Sequence, residues 1–267
     1  MRRSLYLGIK DDGDHDGACV RDPKGKSMKT RFKPLLGALA LSTAAAAVQA
    51  QEIAPGQPVS YIPMPAVTAQ ADAFADYLPE AAGIVRDREP GTTYWFGLRD
   101  DYTVGIFDVF VDAAAQQAHF EGQVAADINA NAAEWVVDGW DGGVLPNVNN
   151  GTILSARQPI DLGDVTTATH IALRAAPGQA EALADLLTAG GAIIEETEPG
   201  TLFWVAVRYD EDTFGIFDAF ADEDGRSAHF AGQVAALLNE QAGTLVEGGW
   251  EDGVVANVRN FDVVAMR

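Results

Sequence analysis

Two stretches of this chain carry nearly the same sequence, and this internal repeat restricts the fold more than any other feature. The matching segments keep their order along the chain, with an offset of 109 residues before the loop at 100–103 and 110 residues after it. The pairs are Glu89–Thr92 with Glu198–Thr201, Gly105–Phe110 with Gly215–Phe220, His119–Phe120 with His229–Phe230, Gly122–Ala126 with Gly232–Ala236, and Gly139–Trp140 with Gly249–Trp250.

A repeat of about a hundred residues is the size of a small domain and much longer than a solenoid unit. The repeat predicts two fused domains, repeat A over residues 59–157 and repeat B over residues 168–267. Residues 158–167, which include Pro159 and Gly163, are predicted as the linker, and residues 51–58 as a flexible leader. Such a fused pair can form within one chain an interface that other proteins form by dimerising.

Residues 1–50 have the composition of an export signal rather than of a folded domain. A basic stretch begins at Met28, an apolar run follows over 34–48, and small residues end at Ala50. This layout predicts a secretory signal peptide cleaved after Ala50, with translation starting at Met28 and residues 1–27 as an upstream extension. We therefore expect a periplasmic or secreted protein that has no membrane anchor after cleavage.

The predicted mature chain is strongly acidic. Residues 1–50 contain nine of the 18 Lys and Arg but only five of the 39 Asp and Glu, which leaves a formal charge of −25 on the remainder. Such a surface repels nucleic acid and anionic lipid, so neither is expected as a partner. The single cysteine, Cys19, lies in the signal segment, so the mature chain has no disulfide and no thiolate metal site.

Each repeat shows the same order of predicted elements. A first strand, Val59–Met64 or Thr169–Arg174, precedes a helix with apolar residues four apart, and a further strand runs into the Pro-Gly turn. A hairpin, formed in repeat A by Thr93–Arg99 and Val104–Phe110, is followed by one long second helix, which Asp112 or Asp222 caps. The last strand is Thr152–Arg157 or Phe261–Met266.

The main elements of each repeat follow the order β-α-β-β-α-β, which is the ferredoxin-like α+β pattern. One such unit has helices on a single face of its sheet, which leaves the other face bare. Two units in one chain can cover each other by packing sheet against sheet. The sequence therefore predicts an intramolecular pseudo-dimer, a dimeric α+β barrel made by one monomeric chain.

The repeated motifs resemble those of the antibiotic biosynthesis monooxygenase domain family, including its small quinol-oxidising members. The resemblance rests on Glu-Pro-Gly-Thr-x-x-Trp, Gly-Ile-Phe-Asp-x-Phe and Ala-His-Phe-x-Gly-Gln-Val-Ala-Ala, and it covers most of both repeats. It implies a dimeric α+β barrel, and in some members oxidation of phenols or quinols by dioxygen without a metal or flavin. Other members bind haem, and many have no known activity.

A tryptophan in each hairpin is a candidate for substrate binding. Trp95 shares a strand face with Gly97, as Trp204 does with Ala206, because side chains two apart point the same way. A large aromatic ring beside a small residue could stack on a flat substrate. The alternative is that each tryptophan fills the core under a helix.

A histidine near the second helix of each repeat is the candidate catalytic residue. His119 and His229 are predicted at the edge of the buried helix face, with Gln123 and Gln233 one turn further on the same side. An imidazole there could accept a proton from a phenolic hydroxyl near neutral pH. The alternative is a structural histidine bonded to its surroundings.

A carboxylate on an apolar strand needs a partner. Asp108 and Asp218 occupy such positions, and Arg99 and Arg208 on the adjoining strand are the predicted partners. We interpret these pairs as structural, with a substrate-binding role as the alternative. The Gly-Trp segments at Trp140 and Trp250 are predicted to pack at the interface between repeats, or else to cover a cavity mouth.

The sequence shows no metal-binding signature, since no two histidines are spaced three or four apart. The leading hypothesis is a cofactor-independent monooxygenase or quinol oxidase acting on a small aromatic molecule. The alternatives are an exported, non-catalytic module that binds an aromatic ligand or haem, and a structural or stress-related domain whose space between helices and sheet is filled.

Overall fold

The computed structural model describes residues 51–267, and the predicted signal peptide lies outside them. Repeat A contains seven main elements, and a π-helical turn at Trp140–Val144 followed by a 3₁₀ turn at Leu145–Asn147 precedes the last strand. The elements are β1 (Pro58–Pro65), α1 (Ala71–Arg88), β2 (Thr92–Arg99), β3 (Thr103–Phe110), α2 (Ala113–Phe120), α3 (Gln123–Trp135) and β4 (Asn149–Arg157).

Repeat B follows the same order, with a short helix in place of the π-helical turn. A 3₁₀ turn at Leu162–Asp164 leads into this repeat, and another lies at Val255–Asn257. The elements are β5 (Thr167–Arg174), α4 (Ala180–Thr197), β6 (Thr201–Arg208), β7 (Thr213–Phe220), α5 (Glu223–Phe230), α6 (Gln233–Leu245), α7 (Gly249–Gly253) and β8 (Val258–Met266).

The eight strands form one closed barrel in the order β1-β3-β2-β8-β5-β7-β6-β4. Each repeat contributes four neighbouring antiparallel strands in ferredoxin-like order. The repeats are joined by hydrogen bonding of β2 to β8 and of β4 to β6. The predicted α+β barrel is therefore confirmed, and closure leaves neither sheet with a free edge.

The interior of the barrel is an apolar core built by both repeats. Alternate residues of the hairpin strands point inward, so that Phe96 and Phe107 of repeat A meet Phe203 and Phe217 of repeat B. The rings of Phe107 and Phe217 are stacked with centroids 3.9 Å apart, and both side chains are fully buried. This core covers the sheet face that each repeat's own helices leave bare.

Two further cores lie between the helices and the outer face of the barrel. In repeat A, Phe74 and Leu78 of α1 are fully buried against the sheet, and Leu183 and Leu187 of α4 do the same in repeat B. The predicted strand before the Pro-Gly turn is wrong. Helix α1 continues to Arg88 instead, because its apolar face stays in register with the sheet to the last turn.

The predicted single second helix is also wrong, because it is broken at Gly122 in repeat A and at Gly232 in repeat B. Each glycine is extended, with ψ near 180°, and a new helix begins after it. The start of the first piece is as predicted, since the Asp112 side chain accepts a hydrogen bond of 2.8 Å from the backbone N–H of Ala115.

Residues 51–58 are not the flexible leader that their composition predicts. Ile53 is 2% exposed and belongs to the interior core of the barrel. Its backbone exchanges two hydrogen bonds with the side-chain amide of Gln158 in the linker. Apolar burial therefore overrides the Pro and Gly content of this segment. Among residues 51–267, no helix has the length and apolar content to cross a bilayer.

Substitution of Phe217 tests whether the repeats fold as one unit. We expect Phe217→Ala to lower the free energy of unfolding by about 3–5 kcal/mol, because it removes a buried ring that both repeats contact. Urea unfolding followed by tryptophan fluorescence should show one shifted transition, whereas the exposed-site variant Tyr102→Ala should unfold like the wild type. Two separate transitions would contradict a shared interior core.

Candidate functional site

Each repeat places a histidine between a glutamate and a fully buried aspartate. In repeat A, His119 Nδ1 lies 2.5 Å from Glu89 Oε2, and Nε2 lies 3.4 Å from Asp108 Oδ2. The corresponding distances in repeat B are 2.6 Å from His229 to Glu198 and 3.3 Å from His229 to Asp218. We call each set the Glu-His-Asp triplet. The histidines are about 5% exposed and the aspartates not at all, so each charge depends on the others.

The repeated motifs have a direct structural role in building the triplet. The glutamate of Glu-Pro-Gly-Thr directly follows helix α1 or α4. The threonine of the motif donates a hydrogen bond to this glutamate, as Thr92 Oγ1 does to Glu89 Oε2 at 3.2 Å. A Cβ on Gly122 would come within 2.8 Å of Glu89 Oε1, and one on Gly232 within 2.3 Å of the Glu198 oxygen. Only glycine at the helix break allows the carboxylate to reach the histidine.

Below each histidine, four side chains form a row across neighbouring strands. In repeat A the register joins Asn150 to Ser60, Ser60 to Asp108 and Asp108 to Trp95, and paired residues point to the same face. Ser60 Oγ lies 2.8 Å from Asn150 Oδ1. The row in repeat B consists of Asn260, Thr169, Asp218 and Trp204.

Within the described chain, some polar atoms of each row have no hydrogen-bond partner. They are Oδ1 of each aspartate and the indole nitrogen of each tryptophan, while Oδ2 of each aspartate faces the histidine Nε2. Buried donors and acceptors are almost always paired in proteins, with water or a ligand where no protein group is available. The rows therefore hold a buried donor and a buried acceptor that a water molecule can satisfy.

A cavity opens beside each triplet, between the row and the helices. Cavity A has a volume of about 310 Å³ and cavity B about 420 Å³, both within the range of small-molecule sites. Apart from the histidine and asparagine, the lining is mainly apolar. In cavity A it includes Ile106, Phe120, Val124 and Trp140, and in cavity B the equivalents Ile216, Phe230, Val234 and Trp250.

The triplet favours the charged imidazole. Burial by itself lowers the pKa of His229, but Asp218 and Glu198 outweigh it and raise the pKa to about 10. The same opposing effects raise the pKa of His119 above its ordinary value. Burial raises the pKa of Asp108 to about 7, although the neighbouring His119 limits the rise. At neutral pH the imidazole of His229 therefore holds a proton on both nitrogens, and in repeat A Asp108 is the carboxyl group whose pKa lies near neutral pH.

The predicted pairing of arginine with the strand aspartates is wrong. Arg99 forms its ion pair with Asp72 of helix α1, and Arg208 with Glu181 of helix α4 at 2.9 Å. Both arginines lie at the end of their strands, where the side chain can remain partly in solvent. Asp108 and Asp218 lie in the middle of the sheet, and histidine is their cationic neighbour.

Gln123 and Gln233 do not line the cavities. The break in the second helix places each at the exposed start of the next helix, so the spacing from the histidine no longer puts them on one face. Gln123 donates instead to Asp127 on its own helix at 2.7 Å. A prediction based on one continuous helix therefore fails at this position.

The two tryptophans occupy different surroundings. Both are fully buried under the helices, which matches the core-filling alternative. Trp204 nevertheless lines cavity B, whereas Trp95 is absent from the lining of cavity A. The open space predicted beside Gly97 is filled, since a Cβ there would lie 3.0 Å from Leu78 and 3.1 Å from Trp95.

Several site residues escaped the sequence analysis. Glu89 and Glu198 were visible only as part of a repeated motif, and Asn150 and Asn260 lie outside the repeated blocks. The Gly-Trp segments were predicted at the repeat interface or else over a cavity mouth, and the second alternative fits, because Trp140 and Trp250 each line the cavity of their own repeat. A nearly equal spacing of glutamate and histidine, 30 residues in repeat A and 31 in repeat B, was the one signal that could have linked them.

The triplet does not suit haem or a metal ion. An axial histidine coordinates through an unprotonated ring nitrogen, and the carboxylates within 3.4 Å of His119 and His229 favour protonation of both nitrogens by raising the pKa of each imidazole. In the part of the chain that the structure describes, no other cluster of His, Cys, Asp and Glu is arranged to hold a metal.

Comparisons with known proteins show a shared fold. Neither a protein-family model nor a curated protein matches the chain. Among solved structures, a "putative monooxygenase" of Fusobacterium nucleatum has a TM-score of 0.62 at 16% identity, over 80% of this chain and 95% of the other. A second protein of that description, from Lactobacillus acidophilus, has a TM-score of 0.60 at 12% identity, over 79% and 95%.

A third match is a Nitrosomonas europaea protein of unknown function. It is 40% identical over 38% of this chain and 91% of its own length, with a TM-score of 0.35. The first two similarities show that this chain has the fold of monooxygenase-like ferredoxin-fold proteins. At such low identity they leave substrate and reaction open.

The raised histidine pKa predicts a pH-dependent stability. The folded pKa of His229, about 10, exceeds the ordinary value of 6.5, so its stabilisation is complete below pH 6.5 and is lost as the pH rises through 10. We expect His229→Gln to lower the free energy of unfolding by about 3–5 kcal/mol at pH 6, because the substitution leaves two buried carboxylates without a cation.

The difference in free energy of unfolding between the wild type and His229→Gln should shrink between pH 7 and pH 10.5. Urea unfolding at each pH measures it. The exposed-site variant Tyr102→Ala should keep the wild-type profile. A His229→Gln penalty that stays constant over this range would show that the imidazole carries no charge in the folded protein.

Proposed function

We propose that the protein is a cofactor-independent monooxygenase or quinol oxidase whose two cavities bind a small phenol or quinol. The single observation that carries the proposal is a ligand-sized apolar cavity beside a buried Glu-His-Asp triplet, present in both repeats. The monooxygenase-like fold supports it as an analogy.

The apolar lining suits an aromatic ring, and the polar row suits its oxygen substituents. In each row the serine or threonine hydroxyl bonds to the asparagine Oδ1, which leaves the asparagine Nδ2 to donate to a ligand oxygen. Gln116 Nε2 also donates to Asn150 Oδ1, at 3.4 Å. This contact favours the same orientation of the asparagine amide, with Oδ1 as the acceptor within the row. A ring with one or two oxygens would thus be oriented by the asparagine and the histidine.

The triplet supplies acid–base chemistry in two steps. The imidazole cannot accept a proton while both its nitrogens are protonated, so Asp108 must first take the proton from His119 Nε2. With a pKa of about 7, this carboxylate is suited to that exchange at neutral pH. The freed Nε2 then accepts the proton of the phenolic hydroxyl, and Glu89 holds Nδ1 throughout.

The resulting phenolate is the electron donor. As an oxidase, the quinol loses two electrons and two protons, and dioxygen becomes hydrogen peroxide. As a monooxygenase, one oxygen atom enters the ring to give a hydroxylated quinone, and the other leaves as water. The protein's contribution in either case is deprotonation and orientation of the substrate.

A second candidate function is a non-catalytic module that binds an aromatic ligand. It is favoured by the close contact of the imidazole with two carboxylates, which stabilises the proton that catalysis would need to move. The same contacts argue against haem as that ligand.

Oxygen consumption with a panel of reduced quinols separates the two candidates. We expect wild-type turnover, and a roughly 100-fold lower kcat/KM in the double variant His119→Ala/His229→Ala, since loss of a general base typically costs this much. Hydrogen peroxide and quinone products should be quantified together with the oxygen. The exposed-site variant Tyr102→Ala should retain wild-type rates. Equal rates in the double variant would remove the histidines from the mechanism, and no turnover with any quinol would favour the binding module.

We also propose that the protein acts as a monomer in the periplasm or outside the cell. Expression of the gene from Met28 in a secreting bacterium should release a chain that begins at Gln51. N-terminal sequencing and sedimentation of the exported protein test the cleavage site and the oligomeric state. Recovery of an uncleaved chain in the cytoplasm would overturn the proposed location.

A further inference from the structure

An aliphatic side chain remains exposed to solvent at the mouth of each cavity. Leu145 lines cavity A and is 50% exposed, and Val255 lines cavity B and is 45% exposed. The two residues are equivalent under the repeat offset. Because the histidine of each cavity is about 5% exposed, each cavity extends from a buried imidazole to an apolar opening at the surface.

The apolar character of this position is kept in both repeats. Single exposed apolar side chains are common on proteins and need no explanation by themselves. Val111 and Val137 are exposed to a similar degree outside the cavities, and the equivalent residues of repeat B are Ala221 and Glu247. Solvent exposure therefore permits loss of the aliphatic side chain elsewhere, whereas the cavity mouth keeps one in both copies.

The exposed aliphatic residue continues an apolar wall of the cavity. Phe120 and Trp140 belong to this wall in cavity A, and Phe230 and Trp250 in cavity B. All four aromatic side chains are only partly buried. An apolar group lying along the wall would remove apolar surface of both partners from water, which favours binding.

Both cavities have more room than one aromatic ring needs. An apolar cavity of roughly 150 Å³ is enough to hold benzene. Cavity A has a volume of about 310 Å³ and cavity B about 420 Å³. A single ring placed at the buried histidine would therefore leave apolar space unfilled towards the mouth, and unfilled space forfeits van der Waals contacts.

We propose that each cavity binds an aromatic ring that carries an uncharged alkyl substituent. The ring oxygen lies at the histidine, and the alkyl chain runs along Leu145 or Val255 to the surface. This rests on the proposed function, because it names the class of phenol or quinol that the same cavities take. Leu145 and Val255 are then residues that determine specificity.

The charges around the cavities favour an uncharged substituent. The formal charge of −25 on residues 51–267 disfavours an anionic group. Among the described residues, no carboxylate lines either cavity, so a cationic group would have no partner at the mouth.

Calorimetric titration with 4-alkylphenols under anaerobic conditions tests the proposal without turnover. We expect each methylene added between phenol and 4-butylphenol to tighten binding roughly two- to fourfold, the ratio for burial of part or all of a CH₂ group. 4-Hydroxyphenylpropionate should bind roughly tenfold more weakly than 4-propylphenol, because its carboxylate would lie in an apolar mouth. An affinity that does not change with chain length would overturn the proposal.

Substitutions at the two mouths locate the alkyl chain. Leu145→Ser/Val255→Ser should weaken 4-butylphenol binding roughly fivefold and leave phenol binding unchanged, because phenol does not reach the mouth. Leu145→Met/Val255→Met keeps the wall apolar and should keep the wild-type affinity for both ligands. Val111→Ser/Ile160→Ser is the matched control, since these residues are similarly exposed but line neither cavity.

All four substituted positions are exposed, so these variants should keep the circular dichroism and melting temperature of the wild type. A serine variant that folds but loses phenol and 4-butylphenol affinity equally would refute the role of the mouth residues. Binding of the wild type to phosphatidylcholine vesicles that the serine variant loses, without any effect of chain length, would assign the mouths to a membrane surface and overturn the proposal.

The oxygen electrode separates this inference from the proposed function. Affinity that rises with chain length, without oxygen uptake from any quinol, would support the alkyl site and overturn only the oxidase. Oxygen uptake from quinols, together with affinities that do not depend on chain length, would support the oxidase and overturn only the alkyl site.

Discussion

Burial of the sheet face that the helices leave bare is the constraint on which the rest of the structure depends. Each repeat covers one face of its sheet with its own helices. The other face is buried from solvent only when the second repeat closes the barrel. The stacked rings of Phe107 and Phe217 lie at the centre of that contact. Closure gives every strand a hydrogen-bonded neighbour on both sides, so the strands that carry the site are held rigidly.

The sites lie away from this contact, on the outer face of the barrel. Because a strand residue points either into the barrel or towards the helices, the same strands supply the aromatic interior and the polar row. Asp108 is adjacent in sequence to Phe107 but points in the opposite direction, towards His119. The interior can thus be shared between the repeats while each cavity belongs to one repeat.

Much of the fold could be predicted from the sequence, because alternation along strands and four-residue spacing along helices are local signals. The errors occurred where a distant contact decides the conformation. Gly122 interrupts a helical pattern because Glu89 needs the space above it, and Ile53 orders a Pro- and Gly-containing segment because the barrel end is apolar. The histidines were found by their repetition, but their carboxylate partners were assigned to arginines on the basis of strand adjacency alone.

By itself, the sequence determined the doubling of the domain, most of the element types and which residues of each strand share a face, since these follow from repetition and from the period of hydrophobic residues. Only the tertiary structure decided which charges meet. Glu89 and His119 are 30 residues apart and come together because a turn after α1 and the end of α2 reach the same edge of the cavity.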